Sequence, residues 1–175
     1  NQLDYEVLLS NATQIMAQNT NGDADYTLIA NGVTVNTSNN TSFYSYFYSG
    51  ITENKFCELR ATQGENSISK FFTIIADPNK TPSAVPSGME DGINYHIGDP
   101  SKVTLVLDAK NKDYIYVAGS FNDWKPDNNY AMTKDPNSDK FWIELSGLTS
   151  GQIETFQYWV AATAPVTGSP KLVKT

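Results

Sequence analysis

Short runs of alternating apolar and polar residues recur along the chain, and Asn, Gly, Asp and Pro separate them. This period-two pattern is typical of half-buried β-strands, and the 3.6-residue period of an amphipathic helix is almost absent. In the first half the pattern predicts strands over 3–9, 26–30, 33–35, 43–48, 56–61 and 68–75. An Asn31-Gly32 pair predicts a tight hairpin between the second and third of them. Residues 1–76 are therefore predicted to form a small immunoglobulin-like β-sandwich.

The pattern stops at residue 77 and resumes at residue 93. Residues 77–92 contain three prolines and show no alternation, which predicts an extended linker. Beyond the linker, strands are predicted over 93–97, 103–109, 114–118, 130–133, 141–145, 156–160 and 172–173. The predicted fold class is thus all-β, with two consecutive immunoglobulin-like β-sandwich domains at 1–76 and 93–175.

One predicted strand of the first domain consists almost entirely of aromatic residues. Along 43–48, alternation places Phe43 and Phe47 on one face and the three tyrosines on the other. We expect the Phe face to be core and the Tyr face to be an amphipathic exterior or a contact between domains, since tyrosine tolerates one wet end. A sugar-binding platform of three tyrosines is the alternative.

Composition narrows the choice of partners. The chain has 12 Lys and Arg against 19 Asp and Glu, a net charge of −7, so it is poorly suited to neutralise nucleic-acid phosphates or anionic lipids. No run of about 18 apolar residues occurs, which argues against insertion into a membrane. The first residue is Asn1, and Asn, Ser and Thr are abundant. We therefore expect an exported protein, located in the periplasm, at the cell surface or outside the cell.

Catalytic, metal and cofactor sites find little support. His96 is the only histidine, and no nucleophile elbow accompanies it, so a Ser-His-Asp system is not predicted. The acids of 21–25 and of the loop around Asp123 do not follow the spacing of an EF-hand calcium loop. No Gly-rich phosphate loop opens a helix. We expect no catalytic residue, metal or cofactor.

The second domain carries the most specific motif, in which a strand ends at Gly119 and is followed by Ser-Phe-Asn-Asp-Trp. On the later strands, alternation assigns the sets led by Phe141 and Phe156 to the core. If those sets are buried, Trp142, Gln157 and Trp159 share an open face. The apolar C–H faces of sugar rings stack on indoles, and their hydroxyl groups need amide or charged partners. Such a face near Trp124 would suit an α-glucan.

The motif resembles the Gly-x-Phe-Asn-x-Trp signature of carbohydrate-binding module family 48, an early-set sandwich. Together with 87–95, 103–107, 141–145 and 156–160, the chain resembles the N-terminal, non-catalytic region of secreted Bacteroidetes-type α-amylases of glycoside hydrolase family 13. The resemblance implies that Trp124 stacks on glucan and that Gln157 stands where glycogen-binding members have a hydrogen-bonding lysine. The second stacking tryptophan of the family has no counterpart in 161–165.

The resemblance implies a chain that positions the catalytic barrel of the same polypeptide and binds α-glucan such as starch, glycogen or maltooligosaccharide. The candidate carbohydrate-binding residues are Asn122, Trp124, Trp142, Gln157 and Trp159. The alternative is a structural spacer or protein-docking module without affinity for sugar. A barrel of roughly 250 residues does not fit in this chain, so the chain itself is not expected to be an enzyme.

Overall fold

The computed structural model describes residues 12–161 and 172–174, and side chains from residue 12 to residue 160. Within these ranges the chain consists of antiparallel β-strands with only two short 3-10 turns, which confirms the predicted all-β sandwich fold. The chain divides into two units, Asn1–Asp77 and Pro78–Thr175, and each has its own hydrophobic core. The strand predicted over 3–9 lies outside the described residues.

The first unit contains two facing sheets. Its strands are β1 (Ala12–Gln18), β2 (Ala24–Ala30), β3 (Val33–Thr41), β4 (Phe43–Ser49), β5 (Lys55–Gln63) and β6 (Asn66–Ile74). One sheet pairs β1 with β4, and the other has the order β3-β2-β5-β6. Asn31 and Gly32 both adopt positive φ angles, 49° and 79°, as the predicted hairpin between β2 and β3 requires.

The core of the first unit corrects the predicted faces of the aromatic strand. Tyr44 is fully buried and stacks on Tyr26 with ring centroids 5.3 Å apart. Phe43 and Phe47 are 53% and 61% exposed, so the prediction that they form the core is wrong. The reason is the register with β1, which places Ala17 opposite Tyr44 on the inner side and Gln18 opposite Phe43 on the outer side. Both faces of β4 are aromatic, so its neighbour decides which one is buried.

The second unit is also a two-layer sandwich. Its strands are β7 (Gly92–Tyr95), β8 (Val103–Asp108), β9 (Tyr114–Gly119), β10 (Thr133–Lys134), β11 (Lys140–Leu145), β12 (Phe156–Ala161) and β13 (Leu172–Lys174). The sheet β10-β11-β8-β7 faces the sheet β13-β12-β9. The predicted core sets are confirmed: Phe141 and Val160 are buried in one cluster, and Phe156 packs against it.

Residues 78–91, within the predicted linker, belong to the second unit and are bonded to one of its sheets. Ser83 donates its backbone N–H to the Lys134 carbonyl oxygen at 3.0 Å. Val85 donates to the Asp135 carboxylate at 3.0 Å, and this bond holds the pKa of Asp135 below its usual range. Asp91 forms an ion pair of 2.7 Å with Lys140. The segment has no regular secondary structure, but these bonds fix it along the β10-β11 side of its sheet.

The buried Tyr44 hydroxyl has no hydrogen-bond partner among the described residues, and burial raises its pKa to about 12. Because an unpaired buried hydroxyl is costly, we expect Tyr44→Phe to raise the free energy of unfolding by up to about 1 kcal/mol. Urea denaturation measures the change. The matched control is Tyr26→Phe, which removes a 3.5 Å bond to the Ser42 carbonyl and is expected to give no gain. A loss of stability in Tyr44→Phe beyond that of the control would contradict the expectation.

The buried Cys57 thiol is expected to be unreactive in the folded protein. Burial raises its pKa to about 12, so roughly one thiol in ten thousand is ionised at pH 8. A chromogenic disulfide reagent should therefore label native protein far more slowly than protein unfolded in urea. Rapid stoichiometric labelling of the native protein would show that the thiol is accessible and ionised.

Candidate functional site

The candidate site is the loop that follows β9 in the second unit. A 3-10 turn over Ser120–Asn122 leads to Asp123 and Trp124, and the chain then continues to a second 3-10 turn over Asn128–Tyr130. Ala131 forms an isolated bridge to Tyr116, so the end of this excursion returns to the edge of β9. The loop is thus anchored to one strand at both ends.

Gly119 is required where the loop leaves β9 because the chain passes very close to its neighbours. A Cβ atom at this position would lie 2.6 Å from the Thr155 carbonyl oxygen and 2.9 Å from Cβ of Phe156. Real Cβ atoms do not approach other atoms this closely, so any side chain here would displace β12. The backbone of Gly119 is extended, and the requirement for glycine is therefore one of space.

Asn122 fixes the shape of the loop through both ends of its amide. Its Oδ1 accepts the Gly119 backbone N–H at 2.8 Å, and its Nδ2 donates to the Val117 carbonyl oxygen at 3.0 Å. Phe121 packs against the core, and its ring lies 5.5 Å from that of Tyr130. Asn122, a predicted carbohydrate-binding residue, is therefore a positioning residue whose amide bonds the chain's own backbone.

Trp124 is the motif residue that the loop turns toward solvent. Its side chain is 42% exposed, and its backbone N–H donates to the Gly119 carbonyl oxygen at 2.9 Å. Asp123 and Trp124 both have left-handed backbones, with φ of 53° and 58°. A bulky aromatic residue in this region is strained, by roughly 1–3 kcal/mol, and such strain is concentrated at functional sites. The sharp turn that holds this indole partly in solvent therefore has an energetic cost.

Gln157 lies on the outer side of the same sheet that carries the loop. It pairs with Ala118 on β9, one residue before Gly119, and its side chain is half-buried. Among the described side chains, none forms a hydrogen bond with its amide. Trp124 and Gln157 thus offer an aromatic surface and a side-chain amide at the same end of the β9-β12 pair.

The predicted surface is not continuous, because Trp142 and Gln157 lie on opposite sides of the sandwich. β11 and β12 belong to different sheets, so their outward side chains point away from each other across the core. Trp142 is half-buried, and its indole N–H donates to the Ser83 carbonyl oxygen at 2.9 Å. This tryptophan thus holds the 78–91 segment against β11.

Trp159 is fully buried, so the prediction that it lies on an open face is wrong. It stands opposite Tyr116 on the outer side of its sheet, and Tyr116 is also fully buried. The Tyr116 hydroxyl donates to Asn128 Oδ1 at 3.1 Å, which ties the returning loop to β9. Alternation correctly assigns Trp159 to the outer side of its sheet, but that side is not open to solvent here.

The described residues around the loop do not form a metal centre. In the part of the chain that the structure describes, no group of three or more His, Cys, Asp or Glu side chains is placed to hold a metal ion. No helix within the described ranges is long and apolar enough to cross a membrane. The loop exposes the Trp124 ring between Asp123 and Lys125, and Gln157 on the adjoining strand adds a neutral amide.

No family model and no curated protein matches the chain. Among solved structures, the chain is similar to the pullulanase SAP of Group B Streptococcus in complex with maltotetraose, at 12% identity and a TM-score of 0.36 over 99% of this chain. The pullulanase from Anoxybacillus sp. matches at 13% identity and a TM-score of 0.33 over 87%. This chain spans 23% of the length of each pullulanase chain. These similarities are too distant to assign a function.

Two variants distinguish a residue that holds the loop in shape, Asn122, from one whose ring is exposed, Trp124. We expect Asn122→Ala to lower the free energy of unfolding by roughly 2 kcal/mol, because the Gly119 N–H and the Val117 carbonyl lose their partner. Trp124→Gly should lower it less, because relief of the left-handed strain offsets part of the packing that is lost with the ring. Denaturant titration measures both. Equal losses in the two variants would show that the Trp124 ring is structural.

Proposed function

We propose that this chain is a non-catalytic accessory region of an exported, starch-active glycoside hydrolase, and that its second unit binds α-glucan at Trp124 and Gln157. The proposal rests on one observation: most residues of the loop motif are needed to build the loop, and Trp124 is not. Gly119, Phe121 and Asn122 are used to build the loop, whereas the Trp124 ring remains partly exposed on a strained backbone.

The chemistry of the two side chains supports a neutral carbohydrate. An indole face accepts the C–H face of a pyranose ring, and an amide both donates to and accepts from hydroxyl groups. The sequence resemblance to carbohydrate-binding module family 48 points to the same ligand, through Trp124 and the lysine-equivalent Gln157. Binding at this loop would hold the glucan near a catalytic barrel in the same polypeptide and raise its effective concentration there.

A docking module is the second candidate function, and a different surface favours it. Ile93 and Tyr95 are 48% and 78% exposed, and both line a cavity of about 180 Å³ at the β7 edge. Ile97 and Ile153, which neighbour this surface in sequence, are also exposed. Clustered aliphatic side chains mark contacts with protein more often than contacts with sugar.

Isothermal titration of the whole chain with maltoheptaose tests the proposal, with retardation on starch-containing native gels as a second measurement. We expect Trp124→Ala to weaken binding roughly tenfold or more, since a central aromatic contact is worth at least about 1.4 kcal/mol. Gln157→Ala should weaken it less, because a peripheral amide contributes less than a stacked ring.

Trp142→Phe is the matched control, because it alters a tryptophan on the opposite side of the sandwich. It should leave the affinity unchanged while lowering stability through loss of the bond to Ser83. Absence of heat and of retardation with the wild-type chain would reject glucan binding and leave the docking role. An affinity for maltoheptaose that is the same in Trp124→Ala as in the wild type would reject the assigned site.

A further inference from the structure

The outer face of the β1-β4 sheet in the first unit carries aromatic residues and no charged ones. We name it the Phe face, and it consists of Gln14, Met16, Gln18, Phe43, Ser45 and Phe47, all of them exposed. The two phenylalanines contribute large apolar areas to solvent, at 53% and 61% exposure. A strand rises about 3.3 Å per residue, so their Cα atoms lie about 13 Å apart along β4.

The cross-strand register gives this face a repeated pair. Phe47 stands opposite Gln14, and Phe43 stands opposite Gln18. Each ring therefore has a primary amide beside it, and Gln14 Nε2 is held by a 2.6 Å bond to Ser45 Oγ. Cross-strand neighbours on one face are close enough for a ligand to touch both members. The pair thus places a stacking surface and a hydrogen-bonding group together, twice, along one line.

Absence of charge distinguishes this face from the surroundings of Phe71, which is also exposed in the described part of the unit. Phe71, on the outer side of the other sheet, is 54% exposed but stands opposite Glu58, which is ion-paired with Arg60 at 2.9 Å. None of the six residues of the Phe face is ionisable, in a chain whose net charge is −7. A face without formal charge offers no electrostatic attraction to phosphate or carboxylate, so it favours a neutral ligand over an anionic one.

We propose that the Phe face is a second carbohydrate-binding surface, which takes an extended neutral glucan lying along β4. The rings of Phe43 and Phe47 contact the C–H faces of two sugar residues, and Gln14 and Gln18 bond their hydroxyl groups. The surface is separate from the loop at Trp124. Only the choice of α-glucan as the first probe rests on the proposed function of that loop.

The test is adsorption of the whole chain to granular starch and, as a neutral glucan of different linkage, to microcrystalline cellulose. In a Trp124→Ala background, which removes the loop contact, we expect adsorption to at least one glucan to remain. Adding Phe43→Ala and Phe47→Ala should weaken that adsorption roughly tenfold or more. Phe71→Ala, with matched exposure, should leave it unchanged. Circular dichroism and thermal melting confirm that each variant is folded.

The outcomes separate this surface from the loop. Loss of adsorption on Trp124→Ala alone, or equal adsorption with and without the two phenylalanines, overturns the proposal. If Trp124→Ala has no effect but the Phe variants abolish adsorption, the Phe face stands and the loop site fails. Sedimentation velocity tests the alternative that the Phe face binds a second copy of the chain. Loss of self-association in the Phe variants without a change in adsorption also overturns the proposal.

Discussion

The close approach of Gly119 to the Thr155 carbonyl and to Phe156 is the contact on which the candidate site depends. Because no side chain occupies that space, β9 can end directly against β12, and the chain can leave the sheet in a tight turn. Asn122 then closes the turn on the backbone of the strand it has just left. The direction of Trp124 follows from this geometry. A ring on a flexible loop would lose more conformational entropy on binding than one held in place beforehand.

The segment between residues 78 and 91 has a related role on the other side of the same unit. Trp142 points away from the core, yet it is half-buried. The segment is bonded to β10 and β11 through Ser83, Val85 and Asp91, and it accounts for the half-buried state of Trp142. A proline-rich segment suits this task, since its backbone is already extended and loses little entropy on binding. An outward side chain of this sandwich is therefore not an exposed one by default.

Alternation along the chain predicts core residues better than it predicts which residues are exposed. Alternation places Phe141 and Phe156 correctly in the core, because the opposite face of each strand carries a polar side chain, Glu144 on β11 and Gln157 on β12. Alternation cannot order Phe43 and Tyr44 in this way, since both faces of β4 are aromatic and no strand is predicted over 12–18. Trp159 was placed on the correct side of its strand, but periodicity carries no information on whether a loop covers that side. Residues 78–91 contain no periodic signal, and the bonds that anchor them are long-range.

By itself, the sequence determined the all-β fold class, the two sandwiches and the loop motif, because strand alternation, turn residues and a fixed motif are local properties of the chain. Tertiary structure alone decided which aromatic groups meet solvent. It buried Tyr44 and Trp159, sent Trp142 to the side opposite Gln157, and left Trp124, Phe43 and Phe47 exposed. Exposure depends on which sheet a strand joins and on what covers that sheet, and both follow from contacts between residues that are distant in sequence.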